Sequence, residues 1–409
     1  MMPTNSSALL EPASDTGDVR KRLRVLFAHN RYRNRGGEDE SRDQEMHVLR
    51  SKGHEVVEYL VDNKDIQKTN YLSAGVQSVW NVDQHRQLTT LMKDIRPDIL
   101  KVDNYFPILS PSIFGAAKSL GVSTVLSVRN YRLICPGTSL FRDGQICRDC
   151  VGSKLALSAI RHQCYRNSYF QSAAVALSNS FAHLRGTWRD SVDRYIAVSD
   201  FVKRELIRGG FPEHKISVKG NSIVDTGAGD GSGGYALFVG RLIPEKGIST
   251  LLQAWKTIGN ALPLKIIGEG SLESDVVRAV ETNPNIEYLK RKPISEVCDY
   301  MGRATVLVFP SEWYEPFGRS IVEAYSKGTP VIGADTEPMR DMIESGQTGL
   351  FFQSGNSEDL AKTVLSLTKD KQRLTHMREQ SRRQYLKSYS AEQNYNQMMT
   401  IFEHALSVG

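Results

Sequence analysis

The sequence has no apolar run that approaches the roughly 18 residues of a transmembrane helix, so it does not predict a membrane-spanning protein. Cysteine is scarce, with 5 in 409 residues, which excludes a small scaffold held together by disulfides. Neither charge is in large excess, because 52 lysines and arginines stand against 46 acidic residues, a net charge of +6. With no helix-turn-helix, zinc-finger or RNP-like motif beside this modest charge, nucleic acid is not an expected partner.

The composition is that of a globular protein, at 40% hydrophobic and 24% charged residues, and the length allows two domains with separate cores. The first residues lack a basic region followed by an apolar core, so they predict a disordered leader and not a signal peptide, in a cytoplasmic protein. The stretch TGAGDGSGG predicts a flexible connector. The expected organisation is a leader at 1–20, a first domain at 21–225, a linker at 226–234, a second domain at 235–390 and a C-terminal segment at 391–409.

Both domains alternate apolar strands with amphipathic helices, which predicts an α/β fold of doubly wound parallel sheets. In the first domain, Gly36 and Gly37 allow the backbone to approach a ligand at a helix start, a plain tight turn being the alternative. In the second domain a strand ends at Gly240, and Arg241 and Lys246 flank the turn that follows. Because open α/β sheets bind ligands at the carboxyl ends of their strands, these cations are placed to neutralise a diphosphate, although an ordinary surface pair remains the alternative.

Residues 306–334, VLVFPSEWYEPFGRSIVEAYSKGTPVIGA, predict a strand, a loop, a helix and a second strand. Phe317 and Gly318 stand where the helix begins, so unbonded N–H groups and the positive end of the helix dipole predict an anion site. Glu315 lies in the loop, and Glu323 lies about a turn and a half into the helix. We therefore expect Glu315 to reach a group held at the helix start and Glu323 to bind neighbouring hydroxyls, the alternative being a solvated acidic face.

This stretch resembles the signature of the retaining nucleotide-sugar glycosyltransferases of the GT-B fold, the large family numbered four, also called glycosyl transferases group 1. Its E-x7-E pattern runs from Glu315 to Glu323, within Phe-Gly and Gly-Thr-Pro surroundings. The segment GRLIPEKG also resembles the family motif G-R-L-x-x-E-K-G. The resemblance extends over about residues 23–402 and is weaker in the first half. It implies two Rossmann-like domains that face a cleft, with a final helix that crosses back onto the first domain.

The resemblance implies that Glu323 binds the ribose hydroxyls of the donor nucleotide and that Glu315 contacts the transferred sugar. It also implies that Arg241 and Lys246 bind the diphosphate. The expected catalytic residues are Glu315, Arg241 and Lys246, and the expected donor-binding residues are Gly240, Arg241, Lys246, Glu315, Pro316, Phe317, Gly318, Arg319 and Glu323. The expected enzyme is a retaining hexosyl-type glycosyltransferase (EC 2.4) that moves a sugar from a nucleotide-diphosphate sugar to a hydroxyl. No cofactor is expected for the chemistry, since these cations and the helix start stabilise the departing diphosphate.

The first domain is expected to supply the acceptor side, through Gly36, Gly37, Arg129 and Asn130. The expected acceptor is a glycan or a lipid-linked glycan, in cell-surface polysaccharide or glycolipid biosynthesis. Where the family usually carries histidines, however, this sequence has Lys101, Asp103 and Arg129, and an arginine does not shuttle a proton at neutral pH. This departure leaves a non-catalytic nucleotide-sugar-binding protein as one alternative. A glycoside hydrolase that uses Glu315 and Glu323 as its carboxylate pair is the other.

Four of the five cysteines, Cys135, Cys147, Cys150 and Cys164, lie in or beside a polar insertion, FRDGQICRDCVGSK. Four thiolates suit structural zinc, but the spacing matches no standard zinc module, so ordinary buried or free thiols are preferred. Residues 129–208 also place basic side chains among aromatics, which favours contact with anionic lipid headgroups or a diphosphate-bearing acceptor and adds peripheral contact at the inner face of the membrane. For the apolar stripe at 168–185, core packing is the commoner explanation.

Overall fold

The computed structural model describes residues 21–31, 36–63 and 71–408, so the predicted leader lies outside the described residues. The first domain contains a six-stranded sheet in the order β2-β1-β3-β4-β7-β8, in which every pairing is parallel. Its strands are β1 (Arg24–Arg31), β2 (Glu55–Asp62), β3 (Ile99–Asn104), β4 (Ser123–Val128), β7 (Arg194–Ala197) and β8 (Ile216–Val218). Two short strands, β5 (Phe141–Arg142) and β6 (Gln145–Ile146), form an antiparallel hairpin.

The second domain contains another six-stranded parallel sheet, in the order β11-β10-β9-β12-β13-β14. Its strands are β9 (Ala236–Val239), β10 (Leu264–Ile267), β11 (Ile286–Tyr288), β12 (Val306–Phe309), β13 (Val331–Ala334) and β14 (Gly349–Phe352). The strands β3, β4, β12 and β13 are buried along their whole length, as expected for parallel strands covered on both faces. The predicted pair of doubly wound α/β sheets is therefore confirmed.

Helices cover both faces of these sheets. Those before the second sheet are α1 (Gly37–Ser51), α2 (Tyr71–Val79), α3 (Val82–Ile95), α4 (Ser112–Ser119), α5 (Leu157–Arg161), α6 (Tyr169–Leu184), α7 (Thr187–Asp190) and α8 (Asp200–Arg208). Those after it begins are α9 (Ile248–Ile258), α10 (Glu273–Thr282), α11 (Ile294–Arg303), α12 (Arg319–Ser326), α13 (Glu337–Arg340), α14 (Ser357–Lys369), α15 (Lys371–Ser388) and α16 (Ala391–Leu406). Across the described ranges, none of the helices has the length and apolarity needed to cross a membrane.

The last helix, α16, packs on the first domain although it follows the second in sequence. Met398 and Phe402 of this helix share a buried apolar cluster with Val25 and Phe27 of β1. At its start, the Tyr395 hydroxyl lies 2.9 Å from His54 Nε2. The chain therefore closes on itself, and the two domains are connected by the linker and by this returning helix.

The linker at 226–234 is hydrogen-bonded to the second domain. The N–H groups of Gly229, Gly231 and Gly233 donate to the carbonyls of Lys327, Gly302 and Arg303 at 2.9, 2.9 and 2.8 Å. A Cβ on Gly229 would lie 2.1 Å from the Gly302 carbonyl oxygen, so close backbone approach explains this glycine. The segment is thus held in place, which differs from the flexible connector that its composition predicts.

Candidate active site

Two adjoining cavities lie between the domains. The larger, about 1260 Å³, is lined by Gly36, Gly37, Glu38, Gly240, Arg241, Lys246, Glu269, Ser320 and Glu323, among others. The smaller, about 480 Å³, is lined by Arg129, Asn130, Arg132, Trp313, Glu315 and Pro316, among others. Arg241, Phe317 and Arg319 border both. In the second domain the strand order reverses between β9 and β12, so the cavities lie where open α/β sheets bind ligands.

An ion pair between Lys246 and Glu315 joins the loop after β9 to the loop after β12. Lys246 ends a 3₁₀ turn, and Gly247 follows with φ of +69°. A Cβ on Gly247 would lie 2.0 Å from the carbonyl oxygen of Pro310, so this close approach requires glycine. Glu315 is buried and also accepts a hydrogen bond from Ser311 Oγ at 2.9 Å. Gly247 therefore allows Lys246 to reach Glu315 in the loop after β12.

The start of α12 was expected to carry unbonded N–H groups, but its first two N–H groups have hydrogen-bond partners. The Gly318 N–H donates to Met342 Sδ at 3.3 Å, and the Arg319 N–H donates to the Phe317 carbonyl at 3.0 Å. A thioether sulfur is a weak acceptor, so a phosphate oxygen would be a stronger partner for the Gly318 N–H. The helix start still borders the large cavity through Ser320.

Arg319 connects the predicted ribose-binding glutamate to the first domain. Its Nε lies 2.9 Å from Glu323 Oε1, and its Nη2 lies 2.8 Å from Glu40 Oε2 of α1. Its Nη1 donates to the Gly37 carbonyl and to Ser41 Oγ, both at 3.3 Å. Burial raises the pKa of Glu323, although Arg319 acts in the opposite direction. The sequence predicted Arg319 as a donor ligand and missed its contact with the first domain.

The glycine pair before α1 lies at the opposite wall of the large cavity. The Gly36 N–H donates to Asp39 Oδ2 at 3.1 Å, and Asp39 Oδ1 lies 3.0 Å from His29 Nε2. Burial alone would raise the pKa of Asp39, but hydrogen bonds from His29 and Gly36 outweigh burial and lower it. A Cβ on Gly37 would lie 3.2 Å from Arg319 Cδ. Gly36 and Gly37 therefore hold the start of α1 against Arg319, a role beyond the tight turn.

Lys101 and Asp103 belong to a buried charge network behind the acceptor side. Lys101 is 0% exposed, and its Nζ lies 2.7 Å from Asp103 Oδ1 and 2.8 Å from Glu45 Oε2. Lys219 Nζ lies 2.7 Å from Glu45 Oε1. Burial alone would raise the pKa of Asp103, yet Lys101 and Arg129 bring it down to about 2. Lys101, which stands where the family usually carries a histidine, has its amine enclosed by acidic partners and borders neither of the two cavities.

Arg129 and Asn130 do border the small cavity. Arg129 Nη2 lies 3.1 Å from Asp103 Oδ1 and 3.2 Å from Glu45 Oε1, so its charge is already paired. Asn130 Nδ2 donates to Glu38 Oε1 at 3.3 Å. Arg129 thus connects the buried network to the cavity wall, and Glu45 and Lys219, which sequence reasoning missed, complete that network.

Trp313 also lines the small cavity and was missed. Its buried indole N–H has no acceptor among the residues that the structure describes. A buried donor without a partner is costly, which makes it a candidate to bind a ligand. The signal available from sequence was a tryptophan, one of 4 in the chain, within the loop SEWYEP between the predicted strand and helix.

The four clustered cysteines, Cys135, Cys147, Cys150 and Cys164, are free thiols. Within the described residues, no group of three or more histidine, cysteine or acidic side chains is arranged to hold a metal ion. Burial raises the pKa of Cys135, and it raises the pKa of Cys150 to about 11, so both thiols are protonated at neutral pH. The four thiols are nonetheless close together, because Cys135, Cys147 and Cys164 each contribute to the raised pKa of Cys150. Structural zinc therefore stays a prediction, and its binding would release the thiol protons.

Residues 229–384 match the family model described as glycosyl transferases group 1. This segment, which is less than half of the chain, is similar to the group 1 glycosyltransferase domain. The domain contains Arg241, Lys246, Glu315 and Glu323, together with α12 and the strands that flank it. The resemblance predicted from the two motifs is thus confirmed for the second half of the chain.

Similar proteins extend the likeness beyond the group 1 domain. An uncharacterized 42.6 kDa protein in the cps region of Klebsiella pneumoniae is 27% identical over 261 residues, which cover 62% of this chain and 61% of that protein. The capsular polysaccharide biosynthesis glycosyltransferase CapM of Staphylococcus aureus is 29% identical over 140 residues, 32% of this chain and 36% of that one. The chain therefore spans only 36% to 61% of the length of these two relatives.

Among solved structures, Anabaena Alr3699/HepE in complex with UDP superposes with a TM-score of 0.67 at 13% identity. The superposition covers 93% of this chain and all of that one. A likeness at this identity concerns the fold alone, and it extends over both domains. The chain has the GT-B fold, as predicted.

Proposed function

We propose that this protein is a retaining glycosyltransferase that moves a hexosyl group from a nucleotide-diphosphate sugar to a hydroxyl acceptor. The observation that carries the proposal is the meeting of Lys246 and Glu315 beside Arg241, at the ends of β9 and β12 and within the group 1 domain. A site for the diphosphate and a site for the sugar are then adjacent. The hydrolase alternative leaves Arg241 and Lys246 without a role.

In the proposed complex the large cavity holds the donor. Glu323 accepts hydrogen bonds from the ribose hydroxyls, and Arg241, Lys246 and the start of α12 bind the diphosphate. Glu315 orients the sugar and offsets the positive charge that develops on it. These fixed positive groups stabilise the departing diphosphate where its charge develops, which is an electrostatic form of catalysis.

The reaction breaks the anomeric C–O bond to the diphosphate and forms a C–O bond to the acceptor hydroxyl on the same face of the sugar. The departing phosphate oxygen takes the hydroxyl proton, so no protein base is needed. The acceptor enters through the small cavity, past Arg129, Asn130 and Trp313. We assign the acceptor to the glycans or lipid-linked glycans of cell-surface polysaccharide or glycolipid biosynthesis, and the likeness to CapM, a capsular polysaccharide biosynthesis glycosyltransferase, supports this class.

Calorimetric titration with a panel of nucleoside diphosphates and their sugars tests the donor site. We expect one base to bind selectively, and Lys246→Ala and Glu323→Ala each to weaken that binding at least about tenfold. Lys256→Ala, on the exposed side of α9, is the matched control and should bind normally. If no nucleotide binds, or if Lys246→Ala and Glu323→Ala bind like the control, the transferase proposal fails.

A second measurement tests retention. Once a donor and an acceptor are known, the one-bond C–H coupling at the new anomeric carbon reports its configuration by NMR. An inverted product would refute retention while leaving the transferase proposal intact. Selective donor binding without turnover on any acceptor would instead favour the nucleotide-sugar-binding alternative.

A further inference from the structure

Helix α6 faces outward with its large apolar side chains. Phe170, Leu177 and Leu184 are 83%, 54% and 75% exposed. They recur every seven residues, close to two helical turns, so they lie on one face of the helix. The buried side of α6 carries mainly small or polar residues, including Ser172, Ala176, Ser178, Asn179 and Ala182. Core packing, the explanation favoured from sequence, is therefore wrong for these three large side chains.

The exposed surface continues onto neighbouring segments. Leu155 and Leu157, at the start of α5, and Tyr169, at the start of α6, are more than half exposed. Helix α5 packs against α6 through Ala156, Ala159 and Ala176. We call Leu155, Leu157, Tyr169, Phe170, Leu177 and Leu184 the apolar face. Single exposed apolar residues are common on protein surfaces, but a cluster of this kind marks an interaction site.

Basic residues lie next to the apolar face in sequence and form what we call its basic rim. Lys154, Arg161, Arg166 and Arg185 are exposed, and the sequence from 150 to 189 contains no aspartate or glutamate. Arg185 also lies over the ring of Trp80, with its guanidinium carbon 4.5 Å from the ring centroid. Asp149 does contact α5, where it accepts a hydrogen bond from Ser158 Oγ at 3.1 Å, but its charge is paired with Arg142 at 3.0 Å. Large exposed apolar side chains with basic neighbours are complementary to the interface of an anionic bilayer.

We propose that the apolar face and its basic rim dock the first domain onto an anionic lipid bilayer. Phe170, Leu177 and Leu184 would enter the boundary between headgroups and acyl chains, with α6 parallel to the membrane plane. A second copy of the chain is a poorer occupant, because pairing two such faces would bring like-charged rims together. Arg166 of the rim also lines the large cavity, so docking would place the membrane beside the proposed active site.

Flotation with lipid vesicles tests the proposal, and it does not depend on the proposed catalytic function. The full chain is mixed with vesicles of phosphatidylcholine alone or with phosphatidylglycerol added. We expect binding only to the anionic vesicles, weakened by high salt. The α6 variant, Phe170→Ser/Leu177→Ser/Leu184→Ser, should lower the bound fraction about tenfold. The charge variant Lys154→Glu/Arg161→Glu should also lower the bound fraction by about that factor.

The matched control is Val277→Ser/Ile294→Ser/Leu386→Ser, which removes three exposed apolar side chains from the second domain. It should bind vesicles like the natural protein. The proposal is overturned if the natural protein binds neither vesicle or binds both equally. It is also overturned if the control variant loses as much vesicle binding as the α6 variant. Sedimentation showing a dimer that only the α6 variant abolishes would also overturn it, in favour of a second copy. Nucleoside diphosphate binding should be unchanged in the α6 variant, which separates this test from that of the donor site.

Discussion

Arg319 and Glu323 stand one helical turn apart on α12, and the guanidinium that holds the Glu323 carboxylate at 2.9 Å also reaches Glu40 of α1 at 2.8 Å. One side chain thus couples the proposed ribose site to the position of the other domain. The closure of the cleft between the domains and the orientation of the Glu323 carboxylate therefore both depend on Arg319. This coupling makes Arg319 a test of how donor binding and domain closure are connected.

Replacement of Arg319 by alanine should weaken donor binding and make it more sensitive to acid. Burial raises the pKa of Glu323, and Arg319 opposes that rise, so its removal should raise the pKa further. Only the ionised carboxylate accepts hydrogen bonds from both ribose hydroxyls, so donor binding is lost as the pH falls through the pKa of Glu323. In Arg319→Ala this acid limb, the low-pH loss of binding, should therefore move to higher pH. Calorimetry of nucleoside diphosphate binding across pH 4 to 8 measures this. Arg278→Ala, which removes an exposed ion pair on α10, is the control, and an acid limb that stays in place would contradict the prediction.

Gly247→Ala should destabilise the second domain and displace Lys246. The substitution puts a Cβ 2.0 Å from the Pro310 carbonyl oxygen at a φ of +69°. We expect a loss of about 2 to 4 kcal/mol in the free energy of unfolding, measured with urea, together with weaker donor binding. Gly121→Ala separates the two causes, because Gly121 has a nearly equal positive φ, +66°, but a Cβ there meets nothing within 4 Å. That control should lose only about 1 kcal/mol, and equal losses in the two variants would show that the contact with Pro310 is not the cause.

Some of this arrangement was predictable from sequence because it is local. The strand, loop and helix around Glu315 follow from apolar periodicity, from Pro310 and from the Gly-Thr-Pro stop, and the Lys246 turn follows from its own motif. The contact between Arg319 and Gly37 was not predictable, since it joins residues 282 positions apart. Nor was the outward orientation of Phe170 and Leu177, because helical spacing identifies a shared face without saying whether protein or solvent lies against it.

The charge network around Glu45 should make stability depend on acid pH. Burial alone would raise the pKa of Glu45, but Lys101, Lys219 and Arg129 outweigh burial and hold it well below its ordinary value of 4.5. Glu45 and Asp103 are therefore ionised in the folded protein. Their contribution to the free energy of unfolding is fully present above the pKa values of the unfolded chain, and it is lost as the pH falls through the pKa values of the folded protein. The free energy of unfolding should thus decrease from about pH 4.5 towards pH 2, as Asp103 titrates near 2.

Glu45→Gln tests that network directly. It leaves Lys101, Arg129 and Lys219 buried with Asp103 as the remaining acid among these partners, so we expect a loss of about 3 to 5 kcal/mol at pH 7 and a flatter acid dependence. The control is Glu58→Gln, which removes a surface ion pair with Arg50 and should cost less than about 1 kcal/mol. Urea unfolding from pH 2 to 7 measures both. A Glu45→Gln protein as stable as the control would mean that the network contributes no net stability.

Trp313 should affect the acceptor and leave the donor unaffected. Its ring borders the small cavity and not the large one, and its buried N–H lacks an acceptor among the described residues. If the acceptor substrate receives a hydrogen bond from this indole, Trp313→Phe keeps an aromatic surface but loses the N–H group. The KM for the acceptor substrate should then rise about fivefold, in keeping with one hydrogen bond of about 1 kcal/mol. Trp313→Ala also loses the ring contact and should raise KM about tenfold further. Nucleotide affinity should stay unchanged in both, and Trp80→Phe, remote from both cavities beneath Arg185, should leave KM unchanged as well. A Trp313→Phe variant with weakened nucleotide binding and an unchanged acceptor KM would place the indole at the donor, and the assignment of the two cavities would then have to be exchanged.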